Sequence, residues 1–210
     1  MSLAVHCGYL PPKFQLTRRI ISGIRPNPPQ LFIATNLNVV DIHCVGELYS
    51  VCNHSCHRFP KLDADGRVDP VDLNKLRKAL LHSSVVVAVF VQPEIRSRLA
   101  AFGGDLARAV TPSSGKLVGF GRAVSDSGLA ASIYDVMVIP SLRRRGIGKR
   151  IVQKIVRMLT DKGIYDIAAL CSDVEMPFFR ACGFGDDILG STAMMYTVTT
   201  RLSNGDCSVG

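Results

Sequence analysis

Hydrophobic residues follow two different spacings along the chain, and the spacing predicts which segments are strands and which are helices. A β-branched run at 85–91 predicts a buried central strand. Two more apolar runs, 117–124 and 130–139, flank a Ser-Asp-Ser-Gly turn, which indicates a hairpin. Across 146–162 apolar residues recur every three or four positions, so we expect an amphipathic helix that ends at Gly163.

Shorter apolar runs complete this order and together predict a single α/β domain. Between them, residues 92–116 contain three Gly and two Pro, and we expect an irregular loop of that length in a small domain to be either mobile or functional. The remaining predicted strands lie at 31–34, 167–170 and 193–200, and the remaining predicted helices at 41–56, 69–83 and 174–182.

An acidic stretch at 63–72 is similar to part of a calcium-binding loop, because carboxylates stand on both sides of a Gly. In that register, however, the first ligand position is Lys61, a cation, and the last is an Asp in place of the bidentate Glu. We therefore expect Asp69 to cap the following helix, Pro70 to be its first residue and Asp72 to lie in its first turn.

Composition excludes several classes of protein. The chain has 210 residues, of which 47% are hydrophobic and 20% charged, so we expect a domain with a full core rather than a disordered chain. No stretch approaches the roughly 18 uncharged apolar residues of a membrane-spanning helix, and we expect no membrane partner. The formal net charge of +8 favours an anionic ligand or partner.

Half of that positive charge lies in the first 40 residues, which contain four Lys or Arg and no Asp or Glu. A basic, hydroxyl-containing and acid-free composition is typical of an organelle transit peptide. The alternative is a basic leader without a targeting role. We expect residues 1–30 to be a transit peptide or disordered leader, 31–200 to form the domain, and 201–210 to be a loose tail.

Three Cys and three His lie close together in the sequence, and such a cluster can bind zinc. The Cys pair lacks a matching second pair downstream, and the same segment fits one amphipathic helix. We therefore expect no metal site. The apolar face of that helix would carry Val45, Leu48, Cys52 and Cys56. The cluster consists of His43, Cys44, Cys52, His54, Cys56 and His57.

A basic, Gly-containing turn after the strand that ends at Ile139 carries the clearest chemical signal. The amides of a helix's first turn lack partners within the helix and lie at the positive end of its dipole, so they bind phosphate. Gly lets a ligand approach the backbone closely. The pattern matches neither a P-loop nor the dinucleotide fingerprint. The turn consists of Arg143, Arg144, Arg145, Gly146, Ile147, Gly148 and Lys149.

The spacing Arg143-x-x-Gly146-x-Gly148 after a Val-Met-Val-Ile-Pro strand resembles the coenzyme A signature of the GNAT (GCN5-related) N-acetyltransferases, and the resemblance extends over about 31–200. It implies a mixed, mostly antiparallel sheet with helices on both faces. It also implies acetyl-CoA as the co-substrate, no metal, and transfer of the acetyl group by direct attack of an amine.

The resemblance also implies which residues bind the coenzyme. The basic turn would hold the pyrophosphate, a bulged strand would pair with the pantetheine, and the segment 172–184 is similar to the later coenzyme-binding helix of the family. The expected coenzyme-binding residues are Val136, Met137, Val138, the turn from Arg143 to Lys149, Ser172 and Phe179.

Two further stretches, 121–126 and 133–136, resemble the plant plastid branch of the family. Members of that branch acetylate protein N-termini and lysines, and some acetylate arylalkylamines such as serotonin. The resemblance thus implies these acceptors and a plastid location. A non-catalytic acetyl-CoA-binding protein is an alternative. Nucleic-acid binding is disfavoured, because aromatic residues are not interleaved with the cations.

Two departures from the family pattern affect the chemistry. The family often has a Tyr that protonates the leaving thiolate where this chain has Phe179, and an Asn where it has Ser172. Phe cannot donate a proton, but a thiol has a pKa near ~8.5, so the thiolate can leave unprotonated. A general acid contributes roughly 10²–10⁴ in rate, and its loss predicts a slower enzyme. Substitute acids would be Cys171, Cys182 or Tyr196.

The base that takes the amine proton is expected to be Asp135, Asp126 or water. Water would suffice for an N-terminus, since an α-amino group has a pKa near ~7.7–8.0 and is partly neutral at that pH, whereas lysine has a pKa near ~10.4. Backbone N–H groups near Met137 and Val138 would stabilise the oxyanion.

Overall fold

The computed structural model describes residues 30–55, 60–91 and 115–190. Its described strands form a single five-stranded sheet in the order β1-β2-β3-β4-β5. The first four strands pair antiparallel in sequence, while β5 runs parallel to β4. The predicted mixed, mostly antiparallel sheet is therefore confirmed. The strands are β1 Leu31–Ala34, β2 Val85–Val91, β3 Lys116–Ser125, β4 Ala130–Val138 and β5 Asp166–Ala169.

Helices cover both faces of this sheet, as expected. In chain order they are α1 Ile42–Cys52, α2 Leu73–Leu81, α3 Ile147–Thr160 and α4 Met176–Ala181, with short 3-10 helices at Leu37–Val39 and Pro140–Leu142. One buried cluster joins the sheet to α3 and α4, and a second joins it to α1 and α2. Among the described residues, no helix is long and apolar enough to cross a membrane.

The position of β2 between two packed faces explains why polar and apolar residues do not alternate in its sequence. Val85, Val87 and Val89 pack into the α3 cluster, while Val86 and Phe90 pack into the α1–α2 cluster. Successive side chains of a strand point to opposite faces. Because both faces are covered, every position of β2 except the partly buried Val91 is buried, and the strand is a continuous apolar run.

Helix α1 ends earlier than the predicted 41–56. The Asp41 carboxylate accepts a hydrogen bond from the His43 N–H and caps its start. At the other end, Asn53 takes a left-handed conformation (φ 51°), which stops the helical hydrogen bonds. Val45 and Leu48 are buried and Cys52 is partly buried, as the predicted apolar face requires, whereas Cys56 lies outside the described residues.

The predicted start of α2 is wrong by three residues. Asp72, not Asp69, is the N-cap: its Oδ1 accepts from the Asn74 N–H at 2.8 Å and from the Lys75 N–H at 3.2 Å. One carboxylate thus satisfies two of the otherwise unpaired amides of the first turn, and it also carries charge favourable to the dipole. Those backbone hydrogen bonds lower the pKa of the Asp72 carboxyl.

The acidic stretch before α2 forms a tight turn. Leu62 and Val68 pair as an antiparallel bridge. Between them, the Asp63 carboxylate accepts from the N–H groups of Asp65 and Arg67, at 2.9 and 2.8 Å. Gly66 supplies the positive φ (73°) that the turn needs. The Asp63 carboxylate therefore accepts its hydrogen bonds from backbone amides of its own turn.

Several predicted segments lie outside the described residues. They are the leader, the strand at 193–200, the tail and nearly all of the loop at 92–116. The proposed domain limits at 31–200 accordingly stay a prediction.

Candidate active site

The two halves of strand β4 differ in the strands with which they pair. Ala130–Ile133 pairs with β3 on one side and β5 on the other. Tyr134–Val138 pairs with β3 alone and has no strand on its other side among the described residues. The sheet therefore opens between β4 and β5, and the backbone polar groups of this half of β4 face a cleft.

A β-bulge lies within the open half of β4. Phe120 pairs with Met137 and Arg122 with Tyr134, so a single residue of β3 stands opposite two residues of β4. Asp135, inside the bulge, has a φ of 56°. The bulged strand expected at Val136 to Val138 is therefore present. The bulge itself begins one residue before Val136, at Asp135.

The cleft has a volume of about 960 Å³ and lies between the open half of β4, the start of α3, α4 and the segment that follows α1. This volume is near the upper end of the range typical of ligand sites. It brings together most residues that the sequence assigned to the coenzyme, but neither Arg145 nor Ser172 is among its described walls. Its walls include Cys52, His54, Val68, Asp135, Val136, Met137, Val138, Arg143, Arg144, Gly146, Ile147, Gly148, Lys149, Glu175, Phe178 and Phe179.

The start of α3 presents backbone amides to one end of this cleft. Gly146 is the N-cap (φ 78°), and no side chain among the described residues caps the helix. Its first amides therefore remain available to a ligand, at the positive end of the dipole. Arg144 and Lys149 line the cleft beside them. These groups together fit a phosphate-bearing ligand.

Arg143 makes two backbone contacts that the sequence did not predict. Its Nε donates to the Val138 carbonyl at 3.0 Å, and its Nη2 donates to the Cys52 carbonyl at 3.5 Å. The guanidinium thus ties the basic turn to the ends of β4 and α1. It lines the cleft, but its donors hold the backbone of the cleft wall in place.

Gly148 also lies in a tight contact that the sequence did not indicate. A Cβ at this position would lie 3.1 Å from Cε2 and 3.2 Å from Cζ of Phe178. The missing side chain lets α4 pack against the first turn of α3. Close helix packing, in addition to any approach of a phosphate, therefore explains the second Gly of the turn.

The two departures from the family pattern lie at α4. The Ser172 hydroxyl donates to the Glu175 carboxylate at 2.7 Å and so takes part in the start of α4 rather than facing the cleft. The Phe179 ring is 8% exposed and packs edge-on against Phe178 and Phe184, with centroids 5.2 and 5.6 Å apart. Phe179 is part of the core and also of the cleft wall.

Two of the substitute acids and one of the predicted bases are not among the described walls of the cleft. Cys171 and Cys182 are partly buried, and neither is among the described walls of the cleft. Burial raises the pKa of the Cys182 thiol, which Lys149 opposes. Tyr196 lies outside the described residues. Asp126 closes the β3–β4 turn by accepting from three successive N–H groups, which lowers the pKa of its carboxyl.

Asp135 does lie in the cleft wall, in a buried cluster of polar groups. Its side chain is 5% exposed and accepts from the Arg122 Nε, while the His54 Nε2 lies 3.2 Å from its other oxygen. Burial by itself would raise the pKa of this carboxyl. The hydrogen bond to His54, the charge and hydrogen bond of Arg122 and a hydrogen bond from Tyr49 outweigh burial and lower the pKa.

Sequence reasoning missed His54 as a neighbour of Asp135. It placed His54 in the candidate zinc cluster, two of whose members, Cys56 and His57, lie outside the described residues. Among the described residues, no group of three possible ligands could hold a metal ion. His54 and Asp135 are 81 positions apart, and only the splayed strand and the end of α1 bring them together. No local pattern in the sequence carries that information.

Asn53 fixes the segment that carries His54. Its Nδ2 donates to the Gly66 carbonyl at 3.1 Å, and its Oδ1 accepts from the Val68 N–H at 2.9 Å. The end of α1 and the acidic turn at 62–68, which we call the 62–68 hairpin, are therefore joined by one side chain. Val68 contributes to the wall of the cleft next to this join.

Comparison with known proteins identifies the family. Residues 83–184 match the model of the Acetyltransferase (GNAT) family. The chain is 47% identical over 201 residues to GCN5-related N-acetyltransferase 3, chloroplastic, from Arabidopsis thaliana, and the match covers 82% of this chain and 84% of that protein. The chain belongs to the GNAT family. It is therefore an acetyltransferase, and the GNAT fold binds acetyl-CoA as the co-substrate.

Two further similarities concern location and fold. The chain is 31% identical over 113 residues to serotonin N-acetyltransferase 2, chloroplastic, from Oryza sativa subsp. japonica, covering 54% of this chain and 48% of that protein. A GNAT-family acetyltransferase structure from Streptococcus pneumoniae has a TM-score of 0.52 at 20% identity and covers 81% of this chain and 99% of that one. The relatives named chloroplastic support the predicted plastid location.

Proposed function

We propose that this GNAT enzyme acetylates protein N-terminal α-amino groups and, more slowly, lysine ε-amino groups. The observation that carries the proposal is the open half of β4, whose backbone faces a cleft that begins at the uncapped first turn of α3. A thioester that lies along this edge would present its carbonyl carbon to an amine entering from the opposite end of the cleft.

The coenzyme would lie with its pyrophosphate on the first turn of α3 and its pantetheine along β4. Arg144 and Lys149 would add charge to the amides of the turn, and Val136 to Val138 would pair with the pantetheine amides. Arg143 would act by holding the turn in place. Arg145 and Ser172 would contribute less than the sequence predicted, since neither is among the described walls of the cleft.

Direct attack on the thioester needs few protein groups. An oxyanion forms as the C–N bond is made, and N–H groups of β4 near Met137 would stabilise it in a partly desolvated site. The thiolate then leaves with the electron pair of the C–S bond. Because a thiol has a pKa near ~8.5, the thiolate can leave without a proton donor at about pH 8, and Phe179 does not prevent the reaction.

The acceptor preference follows from the charge state of the amine. Only the neutral amine is a nucleophile, and an α-amino group with a pKa near ~7.7–8.0 is partly neutral at the pH where a lysine with a pKa near ~10.4 is almost fully charged. In addition, a cleft of about 960 Å³ is near the ~1,000 Å³ upper end for single ligands, so the coenzyme would occupy most of it. A peptide end could then reach in from the mouth.

A small arylalkylamine is the second candidate acceptor. The observation that favours it is the 31% identity to the rice protein named serotonin N-acetyltransferase 2. A free amine of this kind would also have to enter from the mouth of the cleft, where it would meet the partly exposed Tyr134 ring.

Incubation with acetyl-CoA and an equimolar library of peptides and amines, followed by mass spectrometry, tests the proposal. We expect acetylated peptide N-termini to appear first, then acetylated lysines. Acetylated serotonin without acetylated peptide would select the second candidate. Coenzyme binding without any acetylated product would overturn both.

We also propose that residues 1–30 direct the protein to the plastid, and that 31–200 form the acetyltransferase domain, with 201–210 as a tail. The support is the acid-free composition of the first 40 residues. Residues 1–40 fused to a fluorescent protein should enter plastids and be trimmed in plant cells. A diffuse, untrimmed cytosolic signal would contradict this assignment.

A further inference from the structure

His54 lies where two walls of the cleft meet. Its backbone N–H donates to the Tyr49 carbonyl at 3.0 Å at the end of α1, and its ring lies 3.2 Å from the carboxylate of Asp135 in the bulge of β4. The side chain is 26% exposed, against 5% for Asp135. Of this pair, the imidazole is thus the member that a molecule in the cleft can reach.

The carboxylate fixes which ring nitrogen carries the hydrogen. Arg122 donates to one oxygen of Asp135, and an ionised carboxylate can only accept hydrogen bonds. His54 must therefore donate through Nε2 to the other oxygen. In a neutral imidazole with its hydrogen on Nε2, the lone pair lies on Nδ1. A carboxylate that selects the tautomer and orients the ring is also the arrangement that supports a histidine base in other enzymes.

Because it contacts Asp135 in the bulge, the His54 imidazole lies beside the expected reaction centre. Asp135 directly precedes Val136, and His54, Asp135, Val136 and Met137 all line the same cleft. The N–H groups proposed to stabilise the oxyanion belong to the same short segment of β4. His54 as the base and the oxyanion donors of β4 would consequently lie on adjoining parts of the cleft wall.

The geometry points to His54 as the general base of the acetyl transfer, with Asp135 as its positioning residue; the inference rests on the proposed function. His54 Nδ1 takes a proton from the attacking amine as the C–N bond forms. The C–S bond then breaks, and coenzyme A leaves as a thiolate with the electron pair of that bond and takes a proton from water. The imidazolium returns its proton to solvent.

Asp135 is less suited to be the base that the sequence predicted. Its two oxygens are engaged by Arg122 and His54. A carboxylate whose charged form is stabilised by donors at both oxygens is a weak base. Asp126 lies at the β3–β4 turn, outside the described walls of this cleft.

The charged and titratable groups around His54 determine how a pH profile is interpreted. Tyr49 of α1 has its ring centroid 5.4 Å from that of His54, Asp135 of β4 is in contact, and Arg122 of β3 lies behind the carboxylate. Cys52, whose thiol pKa burial raises, precedes His54 on the same segment. Arg143, Arg144, Lys149 and Glu175 are the other charged groups described in the cleft wall.

The test compares His54→Gln with His43→Gln, an exposed histidine on the same helix segment that does not line the cleft. Turnover of a peptide N-terminus is measured from pH 5.5 to 9, with acetyl-CoA affinity determined by calorimetry. We expect His54→Gln to lower kcat by about 10²-fold without changing the affinity. The limb of the kcat/KM profile that reports ionisation of the base should disappear. Added imidazole should restore part of the rate.

Asp135→Asn provides a second measurement. If Asp135 positions the ring, this variant should shift the same limb of the pH profile and lower kcat more than it changes KM. His43→Gln should behave as the parent protein.

The outcomes separate this inference from the proposed function. If the parent protein acetylates amines and His54→Gln keeps its rate and its pH profile, the inference is wrong while the proposed function stands. A parallel fall in rate at every pH, without rescue by imidazole, would also overturn it. If the parent protein acetylates no amine in the library, the proposed function and the base both fail.

Discussion

The two halves of β4 belong to one strand but have opposite surroundings. In Ala130–Ile133 the backbone is paired on both sides, as in the interior of any sheet. In Tyr134–Val138 one side is open to a cleft. The binding surface is thus made by ending a strand pairing, rather than by adding a loop. Such an edge needs other interactions to stay in place, because strand pairing no longer holds it.

Two features hold the open half in position. The buried carboxylate of Asp135 joins the bulge to Arg122 of β3 and His54 beyond α1. Gly121 of β3, opposite the bulge, lets β3 and α3 approach each other: a Cβ there would lie 2.6 Å from Cγ2 of Ile151. The following changes test whether the open half depends on these features while the paired half does not.

The largest effect is expected from Asp135→Asn. Removing the charge leaves the Arg122 guanidinium, 12% exposed, without its ionic partner. Loss of one member of a buried pair costs about 3–5 kcal/mol, so the free energy of unfolding measured with denaturant should fall by that order. Asp166→Asn, an exposed change in the strand that pairs with the first half of β4, should stay within about 0.5 kcal/mol of the parent. Equal effects of the two changes would refute the contrast.

The same carboxylate predicts a pH dependence. Its folded pKa lies below the ordinary value of 3.8, so the folded state favours the charged form. This contribution to stability is complete above pH 3.8 and is lost as the pH falls below it toward the folded pKa. The difference in unfolding free energy between the parent and Asp135→Asn should therefore shrink on acidification below this point. A difference that stays constant down to pH 2 would count against the assignment.

Gly121→Ala should have the next largest effect. The added methyl group would overlap Ile151 and approach Cδ1 of Ile155 to 3.1 Å, and overpacking of a tight core costs about 1–3 kcal/mol. Gly128→Ala in the β3–β4 turn is the control, because a Cβ there meets nothing within 4 Å. Thermal unfolding should show a lower Tm for the first variant and an unchanged or slightly higher Tm for the second.

Lys149→Ala and Arg150→Ala separate the cleft from the rest of the helix surface. Both residues are exposed cations in the first turn of α3, but only Lys149 lines the cleft. Hydrogen bonds to charged groups contribute about 1.5–3 kcal/mol, so Lys149→Ala should weaken acetyl-CoA binding by about tenfold or more. Arg150→Ala should change the affinity little. Calorimetry at two salt concentrations checks both, and equal losses would point to long-range attraction instead of a contact.

Phe179→Tyr is expected to give the smallest change. If the new hydroxyl reaches the coenzyme sulfur, turnover should rise below pH 7, where a thiolate leaves less readily, but by less than the ~10² of a full general acid. If it meets only the rings of Phe178 and Phe184, the unsatisfied hydroxyl should cost about 1–3 kcal/mol of stability. Turnover and melting temperature are measured together. No rise at any pH, with stability unchanged, would place position 179 away from the leaving group.

The sequence predicted the elements whose signal is local. The apolar run of β2 and the periodicity of α3 set the observed strand and helix almost to the residue, because a strand buried on both faces and an amphipathic helix each have a repeat that can be counted. The turn before α3 was likewise recognisable from its Gly and basic residues, and its role in binding phosphate stays a prediction. The residue at which a helix begins was harder to predict. Asp69 and Asp72 are the same residue type and cap helices equally well, and only the backbone geometry selects Asp72.

The parts that could not be predicted depend on contacts between distant positions. Gly148 is explained by Phe178 across the α3–α4 contact, Arg143 by carbonyls of two other elements, and His54 by a carboxylate in the bulge. The residue types at these positions were noticed in the sequence. Their partners were not, because each contact is created by the fold.

The join made by Asn53 has a consequence for how acceptor preference can evolve. Both of its bonds to the 62–68 hairpin go to main-chain atoms, the Gly66 carbonyl and the Val68 N–H. The hairpin is therefore held beside the cleft whatever most of its side chains are. Mutations can change its surface chemistry one position at a time without moving its backbone, provided that Asn53 and the length of the turn are kept. Gene duplicates of such an enzyme could thus acquire new substrates through a short, replaceable segment, while the coenzyme end of the cleft remains unchanged.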